Sequence, residues 1–264
     1  MRRLAFVNEK GGTGKTTLAV NVAAYFAERK GMRVLLVDLD TQGHAGKCLG
    51  LDVRGLPKNV FHWLTEDAVR LADVVQPSTT KNLFTVPAYR EMSEFSVALA
   101  QDPRRAWRLA ERLERDAKDY DVVVMDGPPS MGLATLNILV AATEVVIPVA
   151  LTYLALDGCA ELATTVARVA AEQKRPELHV SRVVPTLYRK TALAEEILKN
   201  LGRYFPGAVT APMGINVKID EAQSHGKTIW EYAPRSKGAE MLAAISEEVF
   251  AAGSAPRARV STGG

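Results

Sequence analysis

The most chemically informative stretch of the sequence is a short glycine-rich segment near its beginning. Residues 4–7 are apolar, glycines follow within residues 11–14, and Lys15 and Thr16 open a segment with helical periodicity. A strand, a glycine-rich turn and a helix start together form a phosphate-binding site, because backbone N–H groups and the helix N-terminus point at one anion. In such a site Lys15 would reach the β- and γ-phosphates of a nucleotide, and the Thr16 hydroxyl would bind Mg²⁺.

Two other apolar segments end in aspartate. Residues 34–37 lead to Asp38, with Asp40 two positions further on, and residues 122–125 lead to Asp126. Side chains at the carboxyl ends of parallel strands line the ligand crevice of an open α/β sheet. We expect Asp126 to hold Mg²⁺ through a water molecule and Asp38 to lie in the same Mg²⁺ shell. Asp40 would orient, or accept a proton from, the water that attacks the γ-phosphate. The alternative is an aspartate pair at 38 and 40 that only shapes a turn.

The glycine-rich segment departs from the usual pattern G-x-x-x-x-G-K-[ST], because Glu9 stands at the first glycine. Residues 10–17, Lys-Gly-Gly-Thr-Gly-Lys-Thr-Thr, instead resemble the deviant Walker A motif of the ParA/MinD family of ATPases. The resemblance implies that ATP and Mg²⁺ are the cofactors and that Lys10 contacts nucleotide across a dimer interface. The alternative is that Lys10 is a solvated loop charge. The catalytic residues would be Lys10, Lys15 and Asp40. The nucleotide-binding residues implied for this loop are Lys10, Gly11, Gly12, Thr13, Gly14, Lys15, Thr16 and Thr17.

Three later stretches carry the same resemblance. Residues 38–43 are similar to the family's D-x-D-P-Q-G, with Thr41 at the proline, which implies that Asp40 is the hydrolysis residue. Residues 126–137 are close to D-x-P-P-S-x-G-x-x-T-x-N. Residues 216–229, Asn-Val-Lys-Ile-Asp-Glu-Ala-Gln-Ser-His-Gly-Lys-Thr-Ile, resemble N-V-R-L-x-E-A-P-S-x-G-K-P-I. The residues that the resemblance places near the nucleotide base are Pro212 and Met213.

The predicted fold is a single α/β domain over residues 1–252, with a mostly parallel, twisted β-sheet flanked by helices on both faces. This is the P-loop NTPase architecture that the resemblance implies. The 264 residues, 47% of them hydrophobic, are enough for one large core. Residues 60–64 are expected to form a short helix, and a longer helix is expected over residues 102–118, with its charges on a solvated face. Residues 253–264 are expected to be a disordered tail.

The basic excess of the sequence lies in its last third. The net charge is +3, and residues 175–264 hold 12 Lys and Arg against 9 Asp and Glu. In the partition members that the chain resembles, an arginine at the position of Lys218 binds non-specific DNA, and lysine keeps its charge but not its planar fork. For each basic residue the alternative is an ordinary solvated surface. The candidate DNA-binding residues are Lys218, Arg235, Lys237, Arg189, Lys190 and Arg203.

The resemblance implies an ATPase that forms a homodimer with ATP and binds non-specific double-stranded DNA in that state. Slow hydrolysis, stimulated by a ParB-like or cargo-adaptor protein, would then segregate or position a cargo. No apolar run approaches the roughly 20 residues of a membrane span, and the N-terminus lacks a signal-peptide pattern. We therefore expect a cytoplasmic, nucleoid-associated protein without membrane attachment.

Two other branches of the family offer alternatives. A MinD-like membrane switch ends in an amphipathic helix, whereas residues 242–250 are short and acidic and are followed by Gly and Pro. A redox or metal-cluster carrier needs paired cysteines at the dimer interface, and Cys48 and Cys159 stand in no such motif. The 4 histidines show no ligand spacing either, so structural zinc is not expected.

Overall fold

Seven β-strands form one sheet in the computed structural model, which describes residues 1–152 and 154–253. The strands are β1 (Arg2–Phe6), β2 (Val34–Asp38), β3 (Gln76–Pro77), β4 (Leu83–Val86), β5 (Val122–Asp126), β6 (Glu144–Ala150) and β7 (His179–Thr186). The α-helices are α1 (Lys15–Arg29), α2 (His44–Cys48), α3 (Val60–Thr65), α4 (Phe95–Ala98), α5 (Arg108–Asp116), α6 (Leu133–Ala141), α7 (Ala155–Glu172), α8 (Ala192–Tyr204), α9 (Val217–Ser224), α10 (Ile229–Tyr232) and α11 (Lys237–Ala252). Short 3₁₀ helices lie at Leu71–Asp73, Arg90–Glu94 and Arg105–Trp107.

The strand order across the sheet is β3-β4-β2-β5-β1-β6-β7. Neighbouring strands are parallel except for β3 and β4, which are antiparallel. In this order β2 lies on one side of β1, whereas β6 and β7 lie on the other side of β1. In open α/β sheets the ligand crevice lies where the strand order reverses in this way. The crevice of this sheet is therefore expected beyond the carboxyl ends of β1, β2 and β5.

Both faces of the sheet are covered, because its central strands are apolar throughout. Successive residues of a strand point to opposite faces. In β5, Val122 and Val124 join the core formed with α1, α9, α10 and α11, whereas Val123 and Met125 join the core formed with α3, α5, α6, α7 and α8. This arrangement confirms the predicted fold class, a mostly parallel sheet with helices on both faces.

The helix predicted over residues 102–118 begins later and ends earlier than expected. A 3₁₀ turn at Arg105–Trp107 precedes α5, which begins at Arg108 and ends at Asp116. One carboxylate oxygen of Asp102 accepts a hydrogen bond from the N–H of Arg104 at 2.8 Å, and the other accepts from the Arg108 guanidinium at 2.5 Å. Asp102 therefore shapes the turn before the helix and does not cap an α-helix that starts at Pro103.

The expected solvated face of this helix is wrong for two of its charged residues. Arg112 is 5% exposed, and the Asp116 side chain is 3% exposed. The Asp116 carboxylate accepts hydrogen bonds from the Trp63 indole at 2.9 Å and from the Leu71 N–H at 3.3 Å, and it pairs with Arg115. Trp63 is fully buried, so its N–H needs a buried acceptor, and this need draws the carboxylate inward.

The remaining expectations about the fold concern a short helix, the end of the domain, the tail and membrane-spanning helices. The short helix predicted at residues 60–64 is confirmed as α3. α11 ends at Ala252, and the domain end predicted at residue 252 stays a prediction. The tail predicted at 253–264 lies outside the described residues, except for Gly253. None of the helices in the described ranges combines the length and the apolar character that a membrane-spanning helix requires.

Candidate nucleotide-binding site

The loop between β1 and α1 curls around the N-terminus of α1. Gly12 and Gly14 have φ angles of +70° and +81°, a region that glycine adopts readily. Asn8 fixes the beginning of the loop, because its amide donates to the Pro148 carbonyl at 2.6 Å while its side-chain oxygen accepts from the Lys10 N–H at 2.9 Å. Gly14 is the N-cap of α1 and provides no side-chain cap. The first N–H groups of α1 therefore remain available to an anion.

The first two residues of α1 place an ammonium group and a hydroxyl group beside buried carboxylates. Lys15 is 7% exposed, and its ammonium donates to the Lys10 carbonyl at 3.0 Å. The Thr16 hydroxyl donates to Asp126 at 2.6 Å. Burial lowers the pKa of Lys15, and the charges of Asp126 and Asp40 oppose this effect. Lysine, threonine and aspartate are thus brought together as the sequence predicted.

Asp126 and Asp38 lie side by side at the ends of β5 and β2, and both are completely buried. Burial raises the pKa of Asp126 to about 7, with the Thr16 hydrogen bond and Lys15 opposing the rise and Asp40 adding to it. Burial, and then the charge of Asp126, raises the pKa of Asp38 well above its ordinary value. Two adjacent buried carboxylates repel each other when both are ionised. The pair therefore favours a nearby cation.

The residues present fit a magnesium ion. Asp126 Oδ1 is buried and has no hydrogen-bond partner within the described part of the chain, whereas Oδ2 accepts from Thr16. A carboxylate oxygen beside a threonine hydroxyl suits Mg²⁺, which binds through few protein oxygens and keeps waters and phosphate oxygens as its other ligands. Within residues 1–152 and 154–253 no group of three or more His, Cys, Asp and Glu side chains is arranged to hold a metal. Because Mg²⁺ takes most of its ligands from water and phosphates, an ion at this position would bind nucleotide phosphate oxygens as well.

Asp38 holds the loop that follows β2. Its Oδ1 accepts a hydrogen bond from the N–H of Asp40 at 2.9 Å, and its Oδ2 accepts one from the N–H of Ala45 at 3.0 Å. Gly43, within this loop, has a φ of +60°, and a Cβ there would lie 2.5 Å from the Ala88 carbonyl oxygen. The loop is thereby fixed in place at the sheet edge. The predicted place of Asp38 in the Mg²⁺ shell stays a prediction.

Asp40 lies in this loop and is 9% exposed. Its Oδ1 accepts a hydrogen bond from the Gln42 N–H at 3.1 Å and another from the Thr41 hydroxyl at 3.4 Å. Thr41 stands where the family pattern has proline, so the hydroxyl provides a contact that a proline side chain lacks. These contacts orient the Asp40 carboxylate, whose predicted role in hydrolysis stays a prediction.

A cleft of about 660 Å³ joins the glycine-rich loop to the Asp40 loop. Its other walls come from α2, α9 and Pro129, which the site prediction did not include. Two of these walls lie in stretches that resemble the family's motifs, since Pro129 belongs to residues 126–137 and α9 to residues 216–229. Nothing in the sequence marked α2 as part of the site. The lining residues that the sequence prediction missed are Gln42, His44, Lys47, Cys48, Pro129, Asp220, Gln223 and Ser224.

Lys10, Pro212 and Met213 were predicted to contact the nucleotide, but they do not line this cleft. The Lys10 ammonium donates to the carbonyl of Leu154, just before α7, at 3.0 Å. Met213 is 5% exposed, and its methyl group lies 3.2 Å from the position that a Cβ on Gly14 would occupy. Pro212 precedes it and is half-buried. The predicted nucleotide contacts of Lys10, Pro212 and Met213 stay predictions.

The basic residues proposed for DNA are all exposed. Lys218 lies in the first turn of α9, and Lys237 is the first residue of α11. These two helix starts are adjacent, because a Cβ on Gly238 would lie 2.8 Å from the side-chain oxygen of Asn216. Arg235, two residues before α11, belongs to the same surface.

The other basic candidates separate into two groups. Arg189 and Lys190 follow Tyr188, which bridges to Gly214. Gly214 in turn lies against Met241 of α11, so this pair continues the surface of Lys218 and Lys237. Arg203 lies in the last turn of α8, roughly 20 Å along the helix from Lys190. The structure thus groups five of the six candidates and sets Arg203 apart.

The fold and the cleft together define a P-loop nucleotide-binding protein. A family model described as "AAA domain" matches residues 1–180. The chain is 38% identical to the sporulation initiation inhibitor protein Soj of Bacillus subtilis, covering 95% of this chain and 98% of that protein. It is 40% identical to the chromosome-partitioning ATPase Soj of Thermus thermophilus, covering 95% and 96%. The chain therefore belongs to the ParA/Soj family of chromosome-partitioning ATPases.

A solved structure has the same fold. Cobyrinic acid a,c-diamide synthase from Mycobacterium smegmatis, with bound ATP analog and magnesium, matches over 100% of both chains with a TM-score of 0.84 and 29% identity. The family and the P-loop ATPase fold expected from the glycine-rich segment are confirmed.

Proposed function

We propose that this protein is a switch that binds DNA in its ATP-bound state. It binds ATP with Mg²⁺, pairs with a second copy of itself, and in that form binds double-stranded DNA without sequence preference. ATP hydrolysis, stimulated by a ParB-like or cargo-adaptor protein, returns it to a form that leaves DNA. The observation that carries the proposal is one cleft lined by Lys15, Thr16 and Asp40, with the buried Asp126 hydrogen-bonded behind Thr16, while the ammonium of Lys10 lies at the Leu154 carbonyl outside the cleft lining.

Four side chains at the cleft would bind ATP with Mg²⁺ or promote its hydrolysis. Bound Mg²⁺ would offset the charge that develops on the phosphates during hydrolysis. Thr16 and Asp126 would hold this ion, and the orphaned Oδ1 of Asp126 supports that role. The Lys15 ammonium, whose acceptor here is a loop carbonyl, would find a stronger, charged acceptor in a phosphate oxygen. Asp40 would orient the attacking water and accept its proton.

The position of Lys10 supports pairing of two subunits. Its ammonium lies at the carbonyl of Leu154, whose side chain is 53% exposed. Leu187 is 45% exposed and Ile215 is 51% exposed; they flank the bridge between residues 188 and 214. The Leu151 N–H donates to the Thr186 carbonyl at 3.2 Å, which brings the segment before Leu154 next to the residue before Leu187. Exposed apolar side chains grouped in this way mark an interaction surface. A second copy docked at this edge would receive Lys10 near its own phosphates.

The grouped basic residues support DNA binding by the dimer. Lysines and arginines bind phosphates through charge and release counterions, and this binding is independent of base sequence. Two subunits double the number of phosphate contacts, so the affinity of the pair rises steeply over that of one subunit. ATP would therefore control DNA binding by controlling dimer formation. In a cell this behaviour would place the protein on the nucleoid, where it would segregate or position a cargo.

Dimer formation provides the test of this proposal. Sedimentation of the purified protein with ATP and Mg²⁺ should show a dimer, which should be absent with ADP. Lys15→Ala should bind no ATP. Lys10→Ala should bind ATP and remain a monomer, because Lys10 contributes only to the other subunit's site. Lys118→Ala, a change of an exposed lysine outside the site, is the matched control and should dimerise normally. A normal ATP dimer of Lys10→Ala would contradict the assignment.

The Asp40→Ala protein separates ATP binding from hydrolysis. It should bind ATP and accumulate as the ATP dimer, because the carboxylate that orients water is missing. Phosphate release should fall well below that of the unaltered protein in a steady-state assay. Hydrolysis by Asp40→Ala at the normal rate would show that another group activates the water.

A further inference from the structure

A hydrogen bond links the helix of Lys218 to the nucleotide cleft. The Gln223 side chain of α9 donates through Nε2 to the Thr17 hydroxyl oxygen at 2.6 Å. Thr17 is the third residue of α1, and both residues line the cleft. The family pattern for residues 216–229 has proline at position 223, which provides no such donor. This contact is therefore a property of the present chain.

The direction of this hydrogen bond determines what Thr17 does. A hydroxyl group has one O–H donor and two acceptor sites. Because the Thr17 oxygen accepts from Gln223, its own proton is free to point at an acceptor in the cleft, such as a nucleotide phosphate oxygen. Hydrogen bonds arranged in such a chain strengthen one another. Gln223 is thus placed to orient and polarise Thr17 toward bound nucleotide.

Contacts at both ends of α9 allow the helix to carry a shift of Gln223 to Lys218. The turn that follows α9 lies against the turn that follows α2, because a Cβ on Gly226 would lie 2.7 Å from the Gly50 Cα. The N-terminus of α9 is capped by Asn216, which accepts from the Lys218 N–H at 3.0 Å. With eight residues, α9 is only about 12 Å long. A small shift at Gln223 therefore reaches Lys218 directly.

We propose that Gln223 is a positioning residue that orients the Thr17 hydroxyl toward the nucleotide phosphates and ties the placement of α9, and thus of Lys218, to the bound nucleotide. The proposal rests on the proposed function, since it specifies how the ATP site communicates with the DNA surface. The link between the ATP site and the DNA surface would run within one subunit, and its effect would add to that of dimer formation.

The first test measures nucleotide binding alone, without DNA. Gln223→Met keeps the length and helix propensity of the side chain but removes its N–H donors. Titration with a fluorescent ATP analog should show about tenfold weaker binding, the effect of one lost hydrogen bond to a phosphate-binding group. Gln101→Met, the same change at an exposed glutamine, should leave the affinity unchanged.

A double-mutant cycle shows whether Gln223 acts through Thr17. Thr17→Val removes the hydroxyl and Thr17→Ser keeps it. Gln223→Met should weaken binding of the analog in the Thr17→Ser protein but cause no further loss in the Thr17→Val protein. Equal losses in both backgrounds would overturn the proposal, as would an unchanged affinity of Gln223→Met. If Gln223→Met does not fold, Gln223→Leu, which also lacks N–H donors, takes its place in the cycle.

The second test measures communication with the DNA surface. The ratio of DNA dissociation constants with saturating ADP and saturating ATP analog should fall about tenfold in Gln223→Met. Lys218→Met should weaken DNA binding and leave analog affinity unchanged. A merely structural role of Gln223 would lower the melting temperature and leave this ratio intact, which would overturn the proposal. Absence of DNA binding by the unaltered protein would refute the proposed function and the link to DNA, while the analog titrations would still decide the role of Gln223 toward nucleotide.

Discussion

Replacing Asp126 by asparagine should stabilise the metal-free protein and at the same time abolish its response to magnesium and ATP. In the metal-free state Asp126 is buried beside Asp38, and one of its carboxylate oxygens has no hydrogen-bond partner within the described residues. An asparagine keeps an oxygen for the Thr16 hydroxyl and adds an amide that can donate toward Asp38. It removes the charge that the interior disfavours, and with it the ligand for Mg²⁺.

The size of the gain follows from the pKa of Asp126. Burial raises this pKa from 3.8 to about 7, and each unit corresponds to about 1.4 kcal/mol, so ionisation at pH 8 costs the folded state about 4 kcal/mol. Part of this cost is shared with Asp38, and we expect the variant to gain about 2 to 4 kcal/mol at pH 8. For a chain of this length that is a rise of roughly 5–12 °C in melting temperature.

The pH dependence has a definite sign. Because the folded state holds the Asp126 proton more tightly than the unfolded state, the unaltered protein loses stability as pH rises from about 4 to about 7. The advantage of the variant should therefore be near zero at pH 4 and complete above pH 7.

Thermal melts in EDTA across this pH range provide the measurement, with Asp119→Asn as the control at an exposed aspartate. Mg²⁺ with ATP should then raise the melting temperature of the unaltered protein but not of Asp126→Asn. Equal melting temperatures in EDTA at pH 8, or a gain that is the same at pH 4 and pH 8, would refute the reasoning.

Three further predictions concern other parts of the molecule. Burial alone would raise the pKa of Asp116, but its hydrogen bonds from neighbouring side chains lower this pKa. Asp116→Asn should therefore lower the free energy of unfolding in urea by about 3 kcal/mol at pH 7. Because the carboxylate must be ionised to contribute, this loss should shrink as pH falls below about 4. A pH-independent loss would contradict this. Glu221 holds the Lys218 ammonium at 2.7 Å, so Glu221→Gln should tighten DNA binding and steepen its logarithmic salt dependence by about 0.9 per subunit; an unchanged affinity and salt dependence would place Lys218 outside the DNA contact. Burial raises the pKa of Cys159 to about 12, and burial together with the charges of Asp126 and Asp38 raises that of Cys48 to about 12. Neither thiol should react with iodoacetamide at pH 8 until urea unfolds the protein, and rapid labelling of Cys159 in the native protein would contradict its burial.

Local patterns in the sequence were enough to predict the sheet and the phosphate loop. β2 and β5 are continuous apolar segments that end in aspartate, and burial on both faces follows from that composition alone. The glycines of residues 11–14 and the helix after them define the loop, because only a few residue types tolerate its backbone angles. Asp38 and Asp126 then meet because parallel neighbouring strands bring their ends together.

Features that depend on packing between distant segments were not predictable in this way. Gln223 reaches Thr17 across 206 positions of sequence, and no local pattern contains both residues. The burial of Asp116 depends on Trp63, 53 positions earlier, which needs an acceptor in the core. In both cases a polar side chain is placed by the requirement that a buried group finds a partner, and that partner is known only once the fold is assembled.

ATP control of DNA binding can be tested with the nucleotide state as the only variable. A gel-shift titration of the Asp40→Ala protein with duplex DNA of arbitrary sequence would compare no nucleotide, ADP with Mg²⁺, and ATP with Mg²⁺. Binding is expected only with ATP, and it should be lost at high salt and when Lys218→Glu is added, whereas Lys118→Glu should have little effect. Equal binding in all three nucleotide states, or no binding in any of them, would show that ATP does not control DNA binding.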